Sequence, residues 1–271
     1  MRRPSIPGPV LARITLVVVS LFLMLLPLVA VIGTSFFTNR IITFPAQGYT
    51  LDWYQAAWDV ATFRSGFGSS IILALAATLG SLLVGVPAGF VLARGSFWGR
   101  DGLATLLLSP LMVPAIVSGT GAYLFFIQIE LATGLQLAGT LFGLVLAHVV
   151  IAIPWTVRLT TASLIHFDQS VEEAATSLGA SRWTVLRRIT LPIIRPAIVA
   201  SALFSFIVSF VELEMSLLLV GPDVTTLPIA LVNYIEWRVD PAVTAVSTVQ
   251  IVVVIAALVI AGRFVRLTRS F

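Results

Sequence analysis

The run ITLVVVSLFLMLLPLVAVIGT, Ile14–Thr34, carries no charged residue and no break in its apolar character. It is long enough to cross the ~30 Å hydrocarbon core of a bilayer as a helix. Five further apolar stretches follow: Phe67–Ala93, Leu103–Ile129, Leu137–Val157, Ala197–Val220 and Ala242–Gly262. Helix is the structure expected for each, because every backbone amide must be satisfied internally in lipid. Transmembrane strands would be about half as long and would alternate in polarity, which these stretches do not.

Composition agrees. Charged residues make up 10% of the 271, against about a quarter in soluble domains. Arg2, Arg3 and Arg13 before the first run resemble the start of a signal peptide. The run is too long for a signal core and lacks a clean small-x-small cleavage site, so it reads as a retained helix. The expectation is an all-α membrane protein of six transmembrane helices forming one domain over residues 1–271, with core helices at about 67–262.

The basic residues are all arginine. Without lysine there is no conventional phosphate-binding P-loop, which needs a lysine at the nucleotide phosphates. Cysteine is absent, which excludes disulfides and thiolate chemistry. With the N-terminus placed in the cytoplasm, Arg2, Arg3, Arg13, Arg94, Arg100, Arg158, Arg182, Arg187, Arg188, Arg195, Arg263, Arg266 and Arg269 lie inside, and only Arg40, Arg64 and Arg238 outside. That asymmetry fits the positive-inside rule, with both termini cytoplasmic. It also explains the net charge of +4 without invoking nucleic acid. Outside, the segment Ser35–Ser65 holds Trp53, Tyr54 and Trp58, suited to the membrane interface or to an external partner.

The longest polar segment on the inner side runs from Arg158 to Pro196. Ser170 followed by Glu173 has the spacing of a capping box, and Glu172 and Glu173 suit a first turn. Gly179 is placed to end that helix in the left-handed conformation. Ser181 can cap a second helix, Arg182–Thr190, limited by Pro192. A short helix, a glycine corner and a second helix result. Ala174 and Ala175 give the first helix a smooth face that another protein can approach, and so short a helix gains order by packing.

The pattern Glu173-Ala174-Ala175, three residues, Gly179, nine residues, Ile189-x-Leu191-Pro192 resembles the signature loop of binding-protein-dependent ABC importer permeases. The resemblance covers nearly the whole chain. It implies the type I importer (MetI-like) permease fold. It implies that this loop couples to a separate cytoplasmic ATPase subunit, which would bind ATP and magnesium while this chain binds no cofactor and is not an enzyme. Glu172, Glu173, Ala174, Ala175, Leu178, Gly179, Ala180, Ile189, Leu191 and Pro192 are then the coupling residues. A second, similar permease subunit, most simply a non-identical one, and an extracytoplasmic solute-binding protein complete the implied assembly. Its location would be the inner (plasma) membrane.

Ionisable groups within spans usually face a cavity or a partner. Glu212 and Glu214, two residues apart on a helix, would point to nearly opposite sides, so both are not expected to line one pathway: one suits the substrate or gate and the other a partner subunit or interface, with a structural polar contact open for each. Pro110 and Pro114 in the third span, with Gly119 and Gly121, mark a kinked helix, serving either as a gate hinge or in plain helix packing. Gly85 and Gly89 make a small-xxx-small packing face. His148 and His166 are too far apart to make a metal site and read as structural.

Ser205–Phe210, Gly221-Pro222 with Thr226-Leu227-Pro228, and Asp240–Thr248 resemble the spermidine/putrescine (PotC-like) branch, which implies a polyamine substrate. The acidic residues at 212 and 214 depart from a more usual adjacent pair. Permeases for thiamine, ferric iron, phosphonates or opines are similar and stay open as alternatives. So does an ion-driven transporter, although no inverted repeat is visible. An intramembrane enzyme lacks its zinc-helix or nucleophile-elbow motif.

Overall fold

The computed structural model describes residues 8–41 and 43–268. Arg2, Arg3 and Arg269 of the charge pattern lie outside them. The described chain is helical: α1 (Gly8–Thr34), α2 (Asp52–Asp59), α3 (Ala61–Arg94), α4 (Arg100–Leu108), α5 (Ala115–Thr133), α6 (Leu141–His166), α7 (Ser170–Ser177), α8 (Arg182–Val185), α9 (Leu191–Val211), α10 (Ser216–Leu219), α11 (Leu227–Trp237) and α12 (Pro241–Thr268). Extended pairing among the described residues is confined to two isolated bridges, Phe37 with Tyr49 and Gly221 with Val224. Six segments are long and apolar enough to cross a membrane: Ala12–Thr34, Ala61–Arg94, Ala115–Thr133, Leu141–His166, Arg182–Val211 and Pro241–Val265. The chain falls into two compact units, Met1–Val60 with Asn233–Val252, and Ala61–Val232 with Val253–Phe271.

In the first unit, the segment after α1 is folded by its aromatic residues. The Trp53 indole donates to the Phe37 carbonyl at 2.8 Å, and the Tyr54 hydroxyl meets Ser35 Oγ at 2.8 Å. Phe37 meets the rings of Phe44 and Tyr49 edge-on. Trp53 and Tyr54 are therefore committed to this local fold, whereas Trp58 is exposed. Near α11 the Tyr234 hydroxyl donates to Asp240 at 2.9 Å. Burial, and then this carboxylate, push the Tyr234 phenol above its usual pKa.

The second unit is built on α3, α6 and α9, packed against one another. Lipid tails are as apolar as leucine side chains, so helix association in a bilayer relies on close packing and interhelical hydrogen bonds. Both are present. A Cβ at Gly85 would lie 2.7 Å from Thr156 of α6, so this close approach needs glycine. Gly89 meets Thr160 one turn on, so the expected small-residue face is the α3–α6 contact. At its centre Ser81 donates to Ser205 of α9 at 3.0 Å, and Thr156 meets Ser205 at 3.3 Å. These hydroxyls are buried and satisfy one another where water is absent.

Three sequence expectations need correction. The span Leu103–Ile129 is two helices, not one kinked helix. Ser109–Leu111 is a 3-10 turn, Met112 and Val113 leave the helix, and Pro114 stands at the N-cap of α5. Pro110 and Pro114 each lack an N–H and each disfavours helix in the residue before it; four residues apart, they end one helix and start another. Secondly, Pro192 does not end the helix begun at Arg182. Leu186–Thr190 is a π turn in which the Leu191 N–H reaches the Leu186 carbonyl, and α9 runs on through Pro192 and Pro196. The wider turn re-registers the hydrogen bonds just before a residue that has none to give. Thirdly, the fifth span stops at Val211, with Glu212 in an extended conformation. The chain resumes helix only at Ser216.

Candidate functional site

Two places on the second unit hold the residues singled out from the sequence. The first is the segment Phe167–Thr190. The α6 helix ends at His166, and the Asp168 carboxylate then accepts the Ser170 N–H at 3.0 Å to start α7. That bond, followed by one from the Ser170 hydroxyl, holds the Asp168 carboxyl below its ordinary pKa. Asp168 thus takes the capping role expected of Ser170. The expected Ser170–Glu173 capping box is not formed, because Ser170 is already inside the helix and Gln169 holds the N-cap.

The other end is as expected. Gly179 has φ +89°, the Ala180 N–H reaches the Ala175 carbonyl at 3.1 Å, and the Gly179 N–H reaches Thr176 at 2.9 Å. These two bonds are a Schellman motif. Ser181 caps the next helix by accepting the Thr184 N–H at 3.2 Å.

The two neighbouring carboxylates part company. Glu172 is half-buried and turns inward: its Oε1 accepts the Thr190 hydroxyl at 2.5 Å, and its Oε2 lies 3.3 Å from Arg94 Nη2. Glu173 and Ala174 face outward, and Ala175 and Ala180 are half-buried. Leu178 is 89% exposed at the tip. Ile189 and Leu191 are half-buried on the second arm, where Pro192 is exposed. The loop therefore presents one carboxylate, a small smooth face and an apolar tip, with its root anchored by the other carboxylate. Sequence reasoning counted Arg94 only as a topological charge and did not single out Thr190. Arg94's place in the last turn of α3 was the available signal.

The second place is the break after Val211. Glu212 is half-buried and its Oε1 accepts the Met215 N–H at 2.8 Å, closing the start of α10. Glu214 is exposed. Because this stretch is not helical, the expectation that the two carboxylates point to opposite sides no longer applies. What separates them is that Glu212 is engaged with its own backbone. His148 spans the break from α6: Nδ1 lies 2.8 Å from Ser209 Oγ and Nε2 2.9 Å from Ser216 Oγ, all three buried. A neutral imidazole can donate to one hydroxyl and accept from the other. The structural reading of His148 was right, but its pinning of a helix break was not visible in sequence. Pro110 and Met215 line a common apolar cavity of about 600 Å3 with Phe125 and Ile151, whereas Pro114 lies outside that lining. Among the described residues no cluster of His, Asp and Glu could hold a metal ion.

Residues 85–269, which contain both places, match the family described as "Binding-protein-dependent transport system inner membrane component". The chain belongs to this family. It is a permease subunit of an ABC importer, a multi-pass protein of the inner membrane. Among curated relatives it is 30% identical over 237 residues to the putrescine transport system permease protein PotI of Escherichia coli (strain K12), covering 87% of this chain and 84% of that one. It is 29% identical over 242 residues to the spermidine/putrescine transport system permease protein PotC of Haemophilus influenzae, covering 89% and 91%. Among solved structures, a chain of a bacterial ABC transporter for the import of alginate superposes with a TM-score of 0.71 at 15% identity, covering 97% of this chain and 99% of that one. A chain of the MetNI methionine transporter superposes with a TM-score of 0.61 at 17% identity, covering 75% and 94%. The permease thus has the MetI-like fold.

Proposed function

We propose that this permease imports a polyamine by alternating access, driven by a separate ATPase that docks on α7. The observation that carries the reading is the outward presentation of Glu173, Ala174 and Leu178, with the half-buried Ala175 beside them, on a helix closed at both ends. Its root is tied by Glu172 to Arg94 and Thr190. Residues exposed at the end of a short, braced helix suit a protein groove better than they suit a structural cap. ATP and magnesium belong to the ATPase in this scheme, and the chain itself binds no cofactor and catalyses no reaction. In this reading the loop side is cytoplasmic, which the arginine asymmetry supports. A second permease subunit completes the pathway, and an extracytoplasmic binding protein delivers the solute.

The polyamine assignment rests on the relatives named for putrescine and spermidine/putrescine transport. The exposed Glu214 beside the α9–α10 break adds to it. A carboxylate not engaged by its own backbone attracts a polycation strongly where the dielectric is low. Glu212 and Met215 would shape the gate, and Pro110 reaches the same cavity from the other broken helix.

The test is uptake of labelled putrescine and spermidine into vesicles containing the assembled transporter, its binding protein and ATP. The reading expects uptake that needs all three, and loss of uptake in Glu173→Lys while the protein still inserts. Uptake driven by an ion gradient without the ATPase contradicts the mechanism. ATP-dependent uptake of a different solute overturns only the polyamine assignment.

A further inference from the structure

Arg94 ends α3, one of the three helices of the packed core, and its guanidinium reaches the start of the α7 arm at three points. It lies 5.6 Å from the Phe167 ring centroid, its Nη1 donates to Gln169 Oε1 at 3.4 Å, and its Nη2 is 3.3 Å from Glu172 Oε2. The other oxygen of Glu172 accepts the hydroxyl of Thr190, which is buried in the π turn leading into α9. One carboxylate thus joins the end of α3, the first turn of α7 and the entry to α9. The ionic pair is partly withdrawn from water, at 23% and 18% side-chain exposure. That reduces the screening that makes exposed pairs nearly worthless. Each charge also has the sign its helix end favours: a cation in the last turn of α3, an anion in the first turn of α7.

We propose that Arg94 is a positioning residue for energy coupling: with Glu172 and Thr190 it forms the strut through which movement of α7 is passed to α3 and α9. The two adjacent glutamates then divide the work, Glu173 toward the ATPase and Glu172 toward the core. Without the strut, α7 would still dock, but its displacement would be absorbed in the Phe167–Ser170 connection. This inference rests on the ATPase-docking reading of α7. A chain of contacts becomes a coupling pathway only when the coupling is measured, and a charge swap measures it.

The experiment uses the assembled transporter in vesicles. It follows binding-protein-dependent uptake, ATP hydrolysis, and cross-linking of Ala175→Cys to a cysteine in the ATPase groove. Arg94→Glu and Glu172→Arg should each lower uptake by roughly tenfold or more, as expected when one member of a partly buried charge pair is lost. ATP hydrolysis and the cross-link should persist. The double variant Arg94→Glu/Glu172→Arg should recover a substantial part of uptake, short of full recovery because the swapped charges oppose the helix ends. Arg94→Lys should retain more uptake than Arg94→Gln, which guards against a folding defect in the reversals. Single variants that transport normally, a double variant no better than the worse single, or equal uptake by Arg94→Lys and Arg94→Gln would overturn the strut. Absence of the cross-link in the otherwise unmodified transporter would instead remove the docking reading, and the strut with it.

Discussion

Thr190 donates its hydroxyl to Glu172 across eighteen residues of chain, so the helix that begins at Ser170 is tied at its first turn to the helix that carries the fifth membrane span. A hydrogen bond to a charged group contributes about 1.5–3 kcal/mol. Thr190→Val, which keeps the shape and removes the donor, should loosen α7 without unfolding the permease. Faster amide exchange confined to residues 170–178, with an unchanged melting temperature, is the expected outcome. Protection of α7 equal to that of the parent protein would show the bond to be idle.

At Gly179 the positive φ sets the cost of any side chain. Gly179→Ala should cost about 1–2 kcal/mol, the usual penalty for a left-handed residue with a Cβ. Gly179→Pro should be worse, because it also removes the N–H that reaches Thr176. Open space surrounds this glycine, so the defect should appear in transport, with insertion and overall thermal stability retained. A Gly179→Pro permease with normal uptake would show that the corner is dispensable.

His148 predicts the reverse pattern, a loss of stability. His148→Leu leaves the buried hydroxyls of Ser209 and Ser216 without their shared partner, at about 1–3 kcal/mol. Thermal unfolding in detergent should shift down by several degrees. Ser209→Ala, which strands only one ring nitrogen, should cost less. Equal melting temperatures for His148→Leu and the parent would mean that the break after Val211 holds itself.

The start of α7 should respond to acid and to Asp168→Ala alike. The Asp168 pKa is lowered on folding, so its contribution is present above the ordinary aspartate pKa and is lost as pH falls through the lowered value. Asp168→Ala should therefore mimic, at neutral pH, the fraying of α7 that the parent shows only in strong acid. Circular dichroism of the whole protein is too coarse for this; amide exchange at Val171 and Glu172 is the measurement. Unchanged exchange there would remove Asp168 from the capping role.

Much of this was legible in the sequence because membranes simplify the problem. The number of membrane-length apolar helices, the Gly85/Gly89 face and the Gly179 corner each follow from a local rule that nothing tertiary overrides. Failures came where two rules met. Pro110 and Pro114 together break a helix that either alone would only kink. Pro192 is absorbed because a π turn precedes it. Glu212 looked like a helical residue in an apolar span, but its carboxylate takes the Met215 N–H and closes a new helix instead. Ser170 lost the cap to Asp168 two residues earlier, since both carry a suitable oxygen and only the backbone path from α6 decides between them. The pairing of Arg94 was not legible because its partners lie across long stretches of chain, and no spacing rule joins a residue at the end of one span to a loop after another.

The central claim is that α7 docks on an ATPase and moves with it. Because the chain has no native cysteine, Ala175→Cys gives a single, half-buried reporter on the docking face. Cross-linking it in membranes to a cysteine in the groove of the co-expressed ATPase tests the claim most directly. The account predicts a cross-link whose yield changes when ATP is bound and again after hydrolysis. A correctly inserted permease that cross-links to no ATPase under any nucleotide condition would contradict it, leaving α7 a capped loop.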